Sequence, residues 1–374
     1  MQSISLKLYL KKWGIIMSNI IKYDGLLAFH PGTYIEDVIE NLNITQKEFA
    51  DRLDINPKVL SELVNGEANL SPEVALKLEK LTGVEYQSWM NLQNSYDRKK
   101  LEIEKKMQED EQEVAELIDL RYFKKNGFIT DRRYACSEKI EELRNLFNVS
   151  NLSYLTTFNP SVSYRSLREF DEKTIVNSNV MLEIATNIAR NRTENKLNRK
   201  KLEANLPLIK QMLNKSDSSF YSTLKDILLD CGIVLVGLPN LKNSSLQGAT
   251  KKFKNGSVLL LITDRNKAAD IFWFSLMHEI AHILFGDFYT DKDDDQAYEN
   301  KELKADDWAA DFLIDKEKYK KFIEKSEFNR NTIIKFSEEE GVLPCILSGR
   351  LKKEGYVDYS QLNDFNISYN ISIN

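Results

Sequence analysis

Residues 268–285 restrict the fold of this chain more than any other segment: they read as a helix that is apolar on nearly every side, yet they carry His278, Glu279 and His282. A helix of that kind belongs inside a core, where a carboxylate beside a low-dielectric wall is retained only with a partner. Histidines four residues apart lie on one helical face, one turn above the other, so their imidazoles converge on a single ion, and Glu279 projects beside them within reach of a water on that ion. Zinc in such a place lowers the pKa of its water towards neutrality and polarises a scissile carbonyl; the carboxylate takes the water's proton and hands it to the leaving amine. Of the three histidines in the chain, two fall here. A suitable third ligand lies downstream at Glu302, with nineteen residues between it and His282, opening a second predicted helix over 301–310. Asp306, one turn further on, faces the same way and is placed to accept a hydrogen bond from the remote N–H of a zinc-bound histidine, fixing its tautomer. Three protein ligands with a fourth place left to water is the coordination of catalytic rather than structural zinc.

The chain has 374 residues, which points to two or three folding units. Its 42% apolar and 29% charged residues, with only 14 Gly and 7 Pro, describe an ordinary globular protein rich in helix formers. Cys136, Cys231 and Cys345 are odd in number and far apart, which argues against a disulfide framework and predicts three buried, reduced thiols in a cytoplasmic protein. No stretch approaches ~18 uncharged apolar residues, so no membrane span is expected, and residues 1–16 lack the uninterrupted apolar region of a secretion signal. Residues 1–28 are expected to be a loose arm or, if Met17 is the true start, in part not translated.

Residues 30–94 are punctuated as an array of short helices. Pro31-Gly32 opens the first; Thr45-Gln46-Lys47-Glu48 is a capping box starting the second, 46–53; Asn56-Pro57 starts the third, 57–64, stopped by Asn65-Gly66; Ser71-Pro72 starts a fourth, ending before Gly83. Two short helices joined by Asp54-Ile55-Asn56, with Phe49, Ala50, Leu53, Leu60 and Leu63 turned inward, have the layout of a helix-turn-helix. Gln46, Asn56, Lys58, Ser61 and Asn65 are the candidates for contact with a DNA operator, Asn and Lys being able to read base edges. Electrostatics opposes that reading: the net charge of the chain is -5, and between His30 and Ser95 eleven acidic residues face five basic ones. A dimerisation or docking role for the module is the alternative.

Residues 97–125 carry a narrow apolar stripe, Ile103, Met107, Val114, Leu117 and Leu120, within a charged helical pattern ended by Asn126-Gly127. Too few heptads are present for a coiled coil, and a connecting helix is expected. A helical middle follows to about residue 228, then three short apolar strands, 232–238, 248–253 and 257–262, ahead of the histidine-bearing helix. The expected architecture is mostly α with a small α+β metallopeptidase domain and an N-terminal all-α helix-turn-helix domain. Its parts are 1–28, an arm; 29–97, helix-turn-helix; 98–228, connector and helical middle; 229–358, metallopeptidase; 359–374, tail.

Two resemblances extend this reading. Residues 29–97, through His30-Pro31-Gly32, Thr45 to Leu53, Leu60 to Gly66, Ala75 to Leu78 and Trp89 to Gln93, resemble the HigA-type antitoxin helix-turn-helix, which implies an autorepressor, often a homodimer, encoded beside a cognate toxin. Asp54 departs from the usual turn glycine, and Asp tolerates a left-handed backbone. Residues 225–358, through Gly248-Ala249-Thr250, Val258 to Leu261, Phe272 to Leu284, Glu302 to Ala310 and Gly349 to Gly355, resemble the ImmA/IrrE family of zinc metallopeptidases, and the spacing from His282 to Glu302 is that of thermolysin-like enzymes. That likeness implies a Zn2+-dependent endopeptidase acting on a partner protein such as a repressor, with 248–253 or 258–262 offering a strand edge to the substrate. Tyr289 and Tyr356 are the tyrosines available to stabilise an oxyanion. The alternatives are a DNA-binding, toxin-neutralising antitoxin with an inactive or structural metal site, and a zinc enzyme acting on a non-peptide amide.

Overall fold

The computed structural model describes residues 19–157, 171–215, 219–288 and 295–373. The chain divides into two units, one up to Gln112 and one from Glu113.

The first unit opens with a β-hairpin, β1 (Ile20–Tyr23) and β2 (Leu26–Phe29), paired antiparallel with Ile20 opposite Phe29. Asp24 and Gly25 both take positive φ, 44° and 80°, the backbone that matches a two-residue turn to strand twist. Residues 19–28 are therefore folded rather than a loose arm: Ala28 packs with Tyr96 and Ile103, and the Tyr23 hydroxyl donates to Asp110 at 2.9 Å. Met17 and the residues before it lie outside the described residues. Helices α1 (Pro31–Leu42), α2 (Gln46–Arg52), α3 (Pro57–Val64) and α4 (Pro72–Thr82) follow the sequence punctuation. The side chains of His30, Thr45, Asn56 and Ser71 each accept a backbone N–H at the helix start. Asp54 holds φ 50° in the turn between α2 and α3, and Lys77 donates to its carbonyl at 2.7 Å. Ile35, Phe49, Leu60, Leu63, Leu78 and Trp89 form the core.

Helix α5 (Tyr86–Leu117) begins well before the charged stretch that announced it. It stops at Leu117 rather than at Asn126-Gly127, because Asp119 caps a separate short helix, α6 (Leu120–Lys125). In the second unit come α7 (Cys136–Phe147), a 3-10 turn (Leu152–Thr156), α8 (Glu172–Ala189), α9 (Arg199–Lys210) and α10 (Ser219–Asp230). A three-stranded sheet follows, with β5 (Val258–Thr263) at its centre, parallel to β3 (Ile233–Leu238) and antiparallel to β4 (Gly248–Lys252). Strands β3 and β5 are almost wholly apolar because both their faces are covered, whereas β4 ends in Lys251 and the exposed Lys252 at the margin of the sheet. Ile233, Leu235, Val258 and Leu260 pack with Trp273, Leu276 and Ile280 of α11 (Ala269–Phe285). Val234, Val236, Leu259 and Leu261 pack on the other face with Val180, Met181 and Ile184 of α8 and Leu143 and Phe147 of α7. The helical middle thus forms no unit of its own: α7 and α8 cover this second face of the sheet, while Leu202 and Ile209 of α9 and Phe220, Leu224 and Leu228 of α10 join the core on the α11 side.

Helix α12 (Asp295–Leu313) starts about two turns before Glu302, which therefore does not open it. Helices α13 (Lys316–Glu324), α14 (Arg330–Glu340) and α15 (Pro344–Lys353) complete the unit. Residues beyond 358 are not a free tail: Ser368 bridges Ala268, and Tyr369 donates its N–H to the Lys267 carbonyl at 3.0 Å. Cys231 and Cys345 are buried as expected, whereas Cys136, at the start of α7, is exposed. Among the described residues no helix is long and apolar enough to cross a membrane. The molecule is mostly helical with a small sheet in the C-terminal unit, the fold class anticipated from the sequence.

Candidate metal centre

Helix α11 runs through the core of the second unit, and its apolar residues bring His278, Glu279 and His282 inside with them, at 5%, 4% and 1% exposure. Helix α12 packs along it, with the Lys304 ammonium 3.7 Å from the Phe285 ring centre, and carries Glu302 and Asp306 to the two histidines. The Nε2 atoms of His278 and His282 are 3.0 Å apart. Glu302 stands 3.5 Å from the first, through Oε2, and 3.4 Å from the second, through Oε1. On its other side, His278 donates Nδ1–H to Asp306 Oδ1 at 2.8 Å, so that Nε2 is the atom turned towards Glu302 and His282.

Burial opposes charge on the His278 imidazole, but the hydrogen bonds to Asp306 and Glu302 and the charge of Glu279 outweigh it and raise the pKa to about 10. Three carboxylates around two imidazoles make a site that draws in positive charge. Tetrahedral zinc, with bonds of about 2.0–2.2 Å, holds its ligand atoms about 3.3–3.6 Å apart. Each carboxylate oxygen of Glu302 stands at that spacing from one imidazole nitrogen, the two nitrogens are closer at 3.0 Å, and imidazole nitrogens with a carboxylate are a donor set that zinc accepts. The residues His278, His282 and Glu302 therefore fit the ion.

Glu279 borders a cleft of about 1040 Å³ whose lining also includes Gly248, Phe274, His278, Asp306 and Arg350. A Cβ on Gly248 would stand only 2.7 Å from Glu279 Oε1 and 2.8 Å from its Cγ, so the bare Cα of β4 is what leaves room for this carboxylate. The sequence motif for the histidine helix does not reveal that dependence, because it arises from a close approach between two elements. Strand β5 is paired on both sides and offers no edge; of the two strands proposed for substrate addition only β4 is at the margin of the sheet. Tyr356 does not border the cleft, its ring packing 5.8 Å from that of Phe328, while Tyr359 does. Tyr289 lies outside the described residues.

In the first unit Gln46 begins α2, and Asn56 caps α3 by accepting Lys58 N–H at 2.8 Å. Asn65 ends α3 and donates to Ser61 Oγ at 3.3 Å. The side chain of Lys58 is 82% exposed and only 3.7 Å from Glu62, so the one cation among these five candidates is partly offset by its neighbour.

Residues 35–89 match the helix-turn-helix family model. The HTH-type transcriptional regulator YddM of Escherichia coli K12 is 41% identical over 66 residues, 18% of this chain and 70% of that protein. The chain belongs to the helix-turn-helix family. Virulence-associated protein I of Dichelobacter nodosus is 30% identical over 79 residues, 21% of this helix-turn-helix protein and 73% of that one. An HTH-type transcriptional regulator of Haemophilus influenzae is 31% identical over 74 residues, 20% of this chain and 69% of its own. Residues 240–331 match the IrrE N-terminal-like domain of the M78 peptidases. That span begins before β4 and takes in β4, β5, α11 and α12, the elements that carry the histidines, Glu279, Glu302 and Gly248.

Proposed function

We propose that this helix-turn-helix protein is a cytoplasmic, DNA-binding regulator whose C-terminal unit is a zinc-dependent endopeptidase acting on a partner protein. The observation that carries the proposal is the meeting of His278, His282 and Glu302 beside the buried Glu279, at the wall of a cleft of about 1040 Å³. When bound by these three residues, zinc would supply an acidified water and a polarising charge on the scissile carbonyl. Glu279 is the general base: held against Gly248, its carboxylate takes the proton of the attacking water and returns it to the leaving amine. Asp306 acts through His278, keeping the proton on Nδ1 and the lone pair of Nε2 turned into the site. Strand β4, at the sheet margin and starting at Gly248, aligns the substrate backbone by strand addition. The HTH-type relatives support operator binding through α2 and α3, with Gln46, Asn56, Lys58, Ser61 and Asn65 as the contact residues.

The test compares cells making the wild-type protein with cells making Glu279→Gln, by mapping newly created protein N-termini. Glu279→Gln is expected to keep its zinc and to lose a small set of cleavages seen with the wild type. The same cleavages in both strains would defeat the proposal.

A further inference from the structure

The acidic helix-turn-helix leaves an electrostatic question open, and the second unit holds an answer to it. The loop from the end of α8 to the start of α9 contains Arg190, Arg192, Lys196 and Lys200, all exposed, against a single acid, Glu194. This loop is clamped to the turn between β4 and β5: Leu197 N–H donates to the Gly256 carbonyl at 2.9 Å, and Asn255 Nδ2 donates to the Thr193 carbonyl at 3.2 Å. Exposed Lys254, in that same turn, adds a fifth cation. Among the described residues none of these five forms an ion pair with a carboxylate. Lys201, by contrast, is paired with Asp230 at 2.5 Å. Arg199 is set apart as well, since its guanidinium lies against Gly286 at the end of α11.

The arrangement is costly for the fold. Arg199, Lys200 and Lys201 occupy the first turn of α9, which has no acidic residue there, although the helix dipole favours anions at that end. Like charges on a loop tied to its neighbour by two hydrogen bonds also repel one another. Such a cluster repays its cost when a polyanion neutralises it.

We infer that this surface of the second unit binds the phosphate backbone of duplex DNA without regard to sequence. DNA is favoured over an anionic membrane because the same chain carries a helix-turn-helix whose eleven acids outnumber its five bases between His30 and Ser95. Counterion release by cations supplies most non-specific affinity, and that module is poorly furnished with them. The inference rests on the DNA-binding reading of the first unit only for the choice of polyanion.

The experiment measures binding of the full-length protein to a labelled random-sequence duplex between 50 and 200 mM KCl, for the wild type and for Arg190→Gln/Arg192→Gln/Lys196→Gln/Lys254→Gln. Each lost phosphate contact removes about 0.9 from the slope of log affinity against log salt. The variant should lose about 3 to 4 in slope and bind at least about tenfold more weakly at 100 mM. Its zinc content and melting temperature should match the wild type. Unchanged slope and affinity overturn the inference, as does a variant that loses binding to phosphatidylglycerol vesicles while keeping its grip on DNA. A parallel Lys58→Ala/Asn65→Ala variant separates the two ideas. If it abolishes operator preference while the four-residue variant changes nothing, the helix-turn-helix reading stands and this inference falls. If it leaves operator preference intact while the four-residue variant binds every duplex more weakly, the reverse holds.

Discussion

Asp306→Asn keeps the shape of the side chain next to His278 and removes its charge. The bond it alters is a short one, 2.8 Å from Nδ1 to Oδ1. Loss of a carboxylate behind a metal-bound histidine costs about 10- to 100-fold in metal affinity, which corresponds to about 1.4–2.7 kcal/mol. The Asp306 side chain is 30% exposed, so solvent already screens part of its charge, and asparagine can still accept the hydrogen bond. Both considerations place the expected loss near the lower limit, about tenfold. The assay is competition for zinc against a fluorescent chelator of known affinity. Asp307→Asn is the control, because it removes the same charge one residue away at an exposed position. The reasoning requires Asp306→Asn to weaken zinc by about tenfold and Asp307→Asn by far less. Equal shifts in the two would mean that bulk charge, not the oriented histidine, sets affinity, and no shift in either would remove Asp306 from the site.

Two further outcomes follow from the same structure. Gly248→Ala puts a methyl 2.7 Å from Glu279 Oε1 and forces the carboxylate to move by several tenths of an ångström; peptide-bond cleavage should fall by about 10- to 100-fold with zinc still bound, and full activity would show that Glu279 does not need its present position. Burial holds the pKa of His30 below the ordinary 6.5, and its Nδ1 must stay unprotonated to accept Gly32 N–H. The unfolded chain therefore binds a proton that the folded first unit resists, so stability from His30 is complete above about pH 6.5 and is lost as pH falls below it. Once corrected for the slower intrinsic, base-catalysed exchange at lower pH, the protection of the α1 amides should fall between pH 7.5 and 5.5, more than that of α11, and protection in α1 that does not change with pH would contradict the assignment.

Much of the metal site could be read in advance because it follows from helical periodicity. His278 and His282 share a face at any helix of standard pitch, and Asp306 follows Glu302 by one turn in the same way. The helix starts at Thr45, Asn56 and Ser71 were legible for a similar local reason: each cap is written within four residues. What escaped depends on contacts between distant segments. Gly248 matters only because β4 passes close to Glu279, and β5 is shown to have no free edge only by the strand order. The hairpin at Asp24-Gly25 carried a recognisable turn signal between two apolar runs, but it lay in a segment set aside as an arm. The middle helices looked self-contained because nothing in their periodicity states that Val180 and Ile184 cover Val234 and Leu259. The onset of α5 at Tyr86 was masked by a run that also fitted the end of the helix-turn-helix.

Anomalous scattering from zinc-replete crystals, collected on both sides of the zinc absorption edge, examines the central assertion without knowledge of any substrate. A single strong difference peak within bonding distance of His278 Nε2, His282 Nε2 and a Glu302 carboxylate oxygen is expected, and it should vanish in His282→Ala crystals. Crystals with zinc in excess that show no peak between α11 and α12, or one that persists in His282→Ala, would contradict the account.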